Sequence, residues 1–118
     1  MRAILTNSPL SMGTSKENTV ATRINLVNIG SAQAITIPGE ALPNIGFYLK
    51  RKMNTEHPFL FGLTNDAFGY ILTKEDFNSF ERYKYISKTS LGERTADIYI
   101  NEVIELVKSS PAPKKIQK

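Results

Sequence analysis

Cysteine and tryptophan are absent from all 118 residues, and histidine occurs once, as His57. Without a thiol the chain can form no disulfide, no thiolate zinc or iron–sulfur site and no cysteine nucleophile. One imidazole cannot supply a site that needs two or three, and a Ser-His-Asp arrangement would have to run through His57 alone. His57 precedes Pro58 in a connection, has no partner at helical spacing, and reads as a solvated loop residue. Lack of cysteine agrees with a reducing compartment without establishing one; the cytoplasm is the default and the location stays open. Long apolar runs are also lacking. None approaches the roughly 18 residues that span a bilayer, so the chain reads as soluble, with no transmembrane segment. Residues 1–7 hold one basic residue and a three-residue apolar patch, short of a signal peptide.

Strong charge of one sign is missing as well. The formal net charge is +4, but Lys114, Lys115 and Lys118 fall in the last five residues. Outside that tail 12 basic residues face 11 acidic ones. A nearly neutral body lacks the clustered positive face that phosphate binding needs, which excludes nucleic acid as the expected partner.

What is present suits one globular domain: 41% hydrophobic and 22% charged residues. Residues 7–19 are polar and turn-forming without periodicity, so 1–21 is expected to be an irregular N-terminal segment. The α/β domain is expected over 22–108, and 109–118, rich in Pro, Ser and Lys, as a disordered basic tail. Ile24 and Leu26 alternate against Arg23 and Asn25, a half-buried strand; Gly30-Ser31 turns the chain, and 32–37 forms the second strand of a hairpin. Pro38-Gly39 ends it.

A helix fits 41–53. Pro43 lies in its first turn, Leu42, Ile45, Leu49 and Met53 fall on one face, and Lys50-Arg51-Lys52 complements the dipole in the last turn. Residues 59–63, Phe-Leu-Phe-Gly-Leu, form a continuous apolar run, the pattern of a strand covered on both faces. Residues 69–72 read as one more strand, and Thr73 with Glu75 and Asp76 as a helix start. The stretch with Phe77, Phe80, Tyr83 and Tyr85 interleaves aromatics with charges, although Glu81 spoils a nucleic-acid platform. The last helix fits 95–108, with Thr95 as cap and Ile100, Val103, Ile104 and Val107 as its apolar stripe. The expected architecture is a single compact α/β domain with a sheet of about four strands, in two hairpin-like pairs, and two main helices. An exposed apolar patch or edge, favouring self-association, is expected with it.

Two segments carry candidate chemistry. Ile37-Pro38-Gly39-Glu40 places a carboxylate where a strand meets a helix, a junction at which α/β sheets gather ligands. On spacing alone Glu40 is an ordinary charged first-turn residue. The segment from Gly62-Leu63-Thr64-Asn65 to Gly69-Tyr70-Ile71 delivers a tyrosine from a tight turn, and taken alone Tyr70 is a half-buried core tyrosine.

Pro38-Gly39-Glu40, Gly62-Leu63-Thr64-Asn65 running to Gly69-Tyr70-Ile71, and Ser90-Leu91-Gly92 before Thr95 together resemble the closing part of the catalytic domain of neutral/alkaline, non-lysosomal ceramidases. The resemblance spans roughly residues 22–107 and rests on the order of short motifs. It implies an amide hydrolase of sphingolipid metabolism acting on ceramide, with zinc held by two histidines, a glutamate and a tyrosine beside a serine. Residue by residue, Glu40 matches the glutamate of the family's PGE-type turn and Tyr70 the liganding tyrosine. Nothing in this sequence matches the two histidines or the serine, and His57 falls where the family places no ligand. The chain is therefore expected to supply Glu40 and Tyr70 to a zinc site, to be inactive alone, and to need the remainder of a catalytic domain as partner. The alternative reading is a small non-enzymatic protein-interaction domain.

Overall fold

Alternating apolar residues and a two-residue turn produce the hairpin that organises the molecule. The computed structural model describes residues 3–13 and 19–114. Strand β2 (Thr19–Ile29) turns through Gly30-Ser31 into β3 (Ala32–Thr36), pairing Leu26 with Ile35 and Ile29 with Ala32. Strand β1 (Ala3–Gly13) pairs antiparallel with β2 from Ala3↔Ile29 to Gly13↔Thr19. The stretch read as irregular thus contains a regular strand, with 14–18 outside the described residues. Long-range pairing along eleven residues supplies the order that local pattern does not.

Beyond β3 the chain forms the short strand β4 (Glu40–Ala41), then helix α1 (Pro43–Lys52), then β5 (His57–Phe61), parallel to β3. Pro43 starts α1, Ile45 and Leu49 are buried on its inner face, Met53 is buried just past its end, and Lys50, Arg51 and Lys52 fill its last turn, all as expected. The sheet order is β1-β2-β3-β5.

Strand β5 is therefore an edge and not the doubly covered centre. Leu60 packs against the core, whereas Phe59 and Phe61, stacked at 6.4 Å, are half-exposed on the other face. The apolar run is continuous because its outward residues are apolar too: Phe59 and Phe61 lie uncovered, and Ile29 and Leu63 are exposed as well. The Phe61 carbonyl accepts from the Ile37 amide at 2.8 Å, so alternate residues, Pro58 and Leu60, turn their backbone outward. Pro58 has no amide hydrogen to offer a further strand there, which blunts this edge.

The second expected hairpin-like pair does not form. Strand β6 (Tyr70–Ile71) pairs instead with β4, parallel, in a separate two-stranded sheet. Thr73 does begin a helical turn, its Oγ1 accepting from the Asp76 amide at 3.2 Å, but Asn78 at φ 57° breaks it, and helix α2 (Tyr83–Lys88) starts later. The last helix, α3 (Thr95–Ser109), is capped by Arg94 without a side-chain bond; Thr95 is its first helical residue, with a buried hydroxyl that makes no hydrogen bond. Its buried stripe runs Ala96, Tyr99, Val103, Leu106 and Val107, so the inner face is rotated toward Tyr99 and leaves Ile100 and Ile104 half-buried.

One core results. Ile24, Leu26, Ile35 and Ile37 of the sheet region meet Ile45 and Leu49 of α1, Ile71 of β6, and Tyr99 and Val103 of α3. Both main helices thus lie on one face of the sheet. At the far end of β3, Gln33 Nε2 donates to Asn28 Oδ1 (3.0 Å), Asn28 Nδ2 to the Pro111 carbonyl (2.7 Å), and the Asn54 amide to Gln33 Oε1 (3.2 Å). This network ties the first tail residues to the body; 115–118 lie outside the described residues. No helix among the described residues is long and apolar enough to cross a membrane. The α/β architecture, with a four-stranded sheet and two main helices, is as the pattern predicts; the parallel β3–β5 pairing that makes the sheet mixed is not.

Candidate functional site at the β4–β6 corner

The three sequence motifs meet at one corner, and close backbone approach is what brings them there. The Glu40 amide donates to the Gly69 carbonyl at 2.9 Å and the Leu42 amide to the Ile71 carbonyl at 3.1 Å, setting Glu40 opposite Tyr70 in register. Tyr70 in turn forms a parallel bridge with Ser90. A Cβ added at Gly39 would run into the Gly69 carbonyl oxygen, and one at Gly69 into the Thr89 carbonyl oxygen. Gly69 also holds φ +83°, a conformation other residues rarely adopt. Glycine is required at both positions by contact, and at Gly69 by conformation as well.

The loop from Gly62 to Gly69 aims Tyr70. The Leu63 amide donates to the Gly39 carbonyl (3.0 Å), Thr64 to Ile37 (3.1 Å) and Phe68 to Pro38 (2.9 Å), wrapping the loop around the end of β3. Asn65, left-handed at φ 75°, donates through Nδ2 to the Arg23 carbonyl at 3.2 Å, and the Thr22 hydroxyl donates to Asp66 Oδ2. Leu63 is also left-handed, at φ 53°, a strained setting for leucine that these bonds sustain.

At the corner the Glu40 carboxylate is exposed and the Tyr70 ring half-buried. The carboxylate charge raises the Tyr70 phenol pKa above its ordinary value near 10; partial burial, a hydrogen bond with Glu40 and the Tyr85 phenol nearby act in the same direction. The phenol therefore holds its proton more tightly than a free tyrosine does. Replacing Glu40 with glutamine removes the negative charge, so the Tyr70 pKa is expected to fall back toward 10, read by ultraviolet titration against Tyr70→Phe.

His57 lies elsewhere. It opens β5 beside Ala32, whereas Glu40 follows the opposite end of β3, more than about 13 Å away at strand rise. Among the described residues no group of three or more His, Asp or Glu side chains gathers. Tyr85 is the neighbour the sequence did not assign to this corner: its ring meets that of Tyr70 edge-on, centroids 6.4 Å apart. No spacing rule connects positions 70 and 85; only tertiary packing does.

A carboxylate and a phenol, paired in register, are oxygen donors of a kind that zinc accepts. They would make two of the usual three protein ligands, so these residue types fit part of such a site and no more.

No protein-family model and no curated protein matches the chain. Solved structures do. A ceramidase complexed with C2 superposes with TM-score 0.66 at 18% identity, over 82% of this chain and 16% of that one. Neutral ceramidase from Pseudomonas aeruginosa gives 0.66 at 17% identity, over 82% of this chain and 17% of its own. At such identities the likeness is one of fold, and this chain spans about a sixth of those proteins. The fold assembled by these motifs is that of a portion of the neutral ceramidases.

Proposed function

We propose that this chain is the metal-proximal part of a ceramidase-like, zinc-dependent amidohydrolase domain, contributing Glu40 and Tyr70 as ligands and inactive without the remainder of that domain. The observation that carries the reading is the register pairing of Glu40 with Tyr70 inside a fold shared with ceramidases. Glu40 offers a carboxylate oxygen from the β3–α1 junction, and Tyr70 offers its phenol oxygen once its proton leaves. Zinc, when bound, lowers the pKa of a water and polarises the scissile carbonyl of a lipid amide. The Gly39–Gly69–Thr89 backbone contacts fix the main chain from which the two side chains project, which supports the reading. The missing ligands and the serine would come from the rest of the domain, for which the uncovered Phe59 and Phe61 rings are a fitting seat.

Zinc titration of the full chain followed by backbone amide shifts tests the reading. Shifts should cluster at 39–41 and 69–71, with Glu40→Gln and Tyr70→Phe each weakening binding by about tenfold or more. The chain alone should release no fatty acid from a ceramide. Shifts centred on His57, or unchanged in both variants, would sink the proposal.

A further inference from the structure

We propose that Tyr85 is a positioning residue for this corner, its ring acting as a clamp that holds the Tyr70 side chain toward Glu40. The inference rests on the reading of Glu40 and Tyr70 as one site and adds a residue from a different element.

The geometry supports a clamp. Tyr70 has Glu40 on one backbone flank and Ser90 on the other, through the parallel pairings on either side of β6. Its ring is met by that of Tyr85, edge to face, centroids 6.4 Å apart and planes at 68°. Tyr85 is 68% exposed, so its ring is not placed by burial in the core. It is placed by the helix that carries it. The Thr89 hydroxyl and amide both donate to the Tyr85 carbonyl, at 3.0 and 3.1 Å, closing α2. The Ser87 side chain, buried, accepts from the Asn78 amide at 2.9 Å. Thr89 then abuts Gly69, and Ser90 bridges to Tyr70. These bonds fix the backbone that carries Tyr85, and the ring, mostly exposed and outside the core cluster, packs edge-on against Tyr70. An edge-to-face pair biases a rotamer equilibrium by about two- to tenfold.

The test reads the Tyr70 side-chain rotamer in the full chain without metal, from its Hα–Hβ couplings and from cross-peaks between the Tyr70 ring and the Glu40 methylenes. Wild type and Tyr85→Phe, which keeps the ring, should show one dominant rotamer and the cross-peaks. Tyr85→Leu and Tyr85→Gln, both at an exposed position, should raise the minor rotamer by about two- to tenfold and weaken the cross-peaks. An unchanged Tyr70 rotamer in the leucine and glutamine variants would overturn the clamp, and so would its loss in the phenylalanine variant. Because no zinc is added, failure here leaves the metal reading standing, and failure to bind zinc leaves this result readable.

Discussion

Truncating Tyr99 to alanine is expected to cost about 3–5 kcal/mol, the range for removing a large aromatic from a packed interior. Tyr99 is 0% exposed at the centre of the cluster joining α3 to the sheet. Its hydroxyl is satisfied, donating to the Thr36 carbonyl at 3.1 Å, so Tyr99→Phe should cost only about 1 kcal/mol. Urea unfolding of both variants separates packing from hydrogen bonding. The same side chain gives the stability a pH signature. Burial raises the Tyr99 pKa far above its ordinary value. Stability due to its neutral form is fully present below pH ~10 and is lost as pH rises toward the folded-state pKa, because the unfolded chain sheds that proton first. The slope expected above pH ~10 is a loss of about 1.4 kcal/mol per pH unit, and it should be shallower in Tyr99→Phe by that amount.

Alanine at Gly69 is expected to cost roughly 2–4 kcal/mol and to undo the candidate site with it. The backbone there is left-handed at φ +83°, and the new methyl would meet the Thr89 carbonyl oxygen. Relief requires β6 to move away from Ser90, carrying Tyr70 from its place opposite Glu40. The variant should therefore lose both stability and the elevated Tyr70 pKa. Gly46 is the control. It lies inside α1, where an added Cβ would make ordinary contact with Leu60 at 3.6 Å, so Gly46→Ala should stabilise by about 0.5–1 kcal/mol and leave Tyr70 untouched. Equal losses for the two glycines would contradict the close-approach argument.

Local chemistry was readable where it acts locally. The β2–β3 turn, Pro43 at the head of α1 and the inward stripe of Ile45, Leu49 and Met53 follow from short-range pattern alone. Elements set by distant partners were not. Strand β1 owes its regularity to eleven residues of pairing with β2, and its sequence, apolar at 3–5 and then polar at 6–8, gives no sustained period-2 signal. The run at 59–63 is apolar on both sides, which cannot distinguish a covered strand from an edge whose outer face awaits a partner. The turn at Thr73 has a helix start's chemistry, yet Thr73 and Asn44 both donate to Asp76 Oδ2, at 2.8 and 2.7 Å, and Asn78 reverses the chain. In α3, burial of Tyr99 rotates the inner face away from the purely aliphatic stripe. For the corner itself, Glu40 and Tyr70 could be named from turn chemistry and motif order, but their direct pairing across β4 and β6, and the arrival of Tyr85, depend on the Gly39–Gly69–Thr89 backbone contacts that no sequence spacing encodes.

The most direct measurement is the tyrosinate absorbance near 295 nm as zinc is added to the full chain at about pH 8–9, below the free phenol's titration. If Glu40 and Tyr70 share one cation site, zinc should draw a proton from a single phenol, and the signal should vanish in Tyr70→Phe while persisting in Tyr48→Phe, a change within helix α1. An absent signal, or one that survives unchanged in Tyr70→Phe, would show that the two side chains do not hold a metal together.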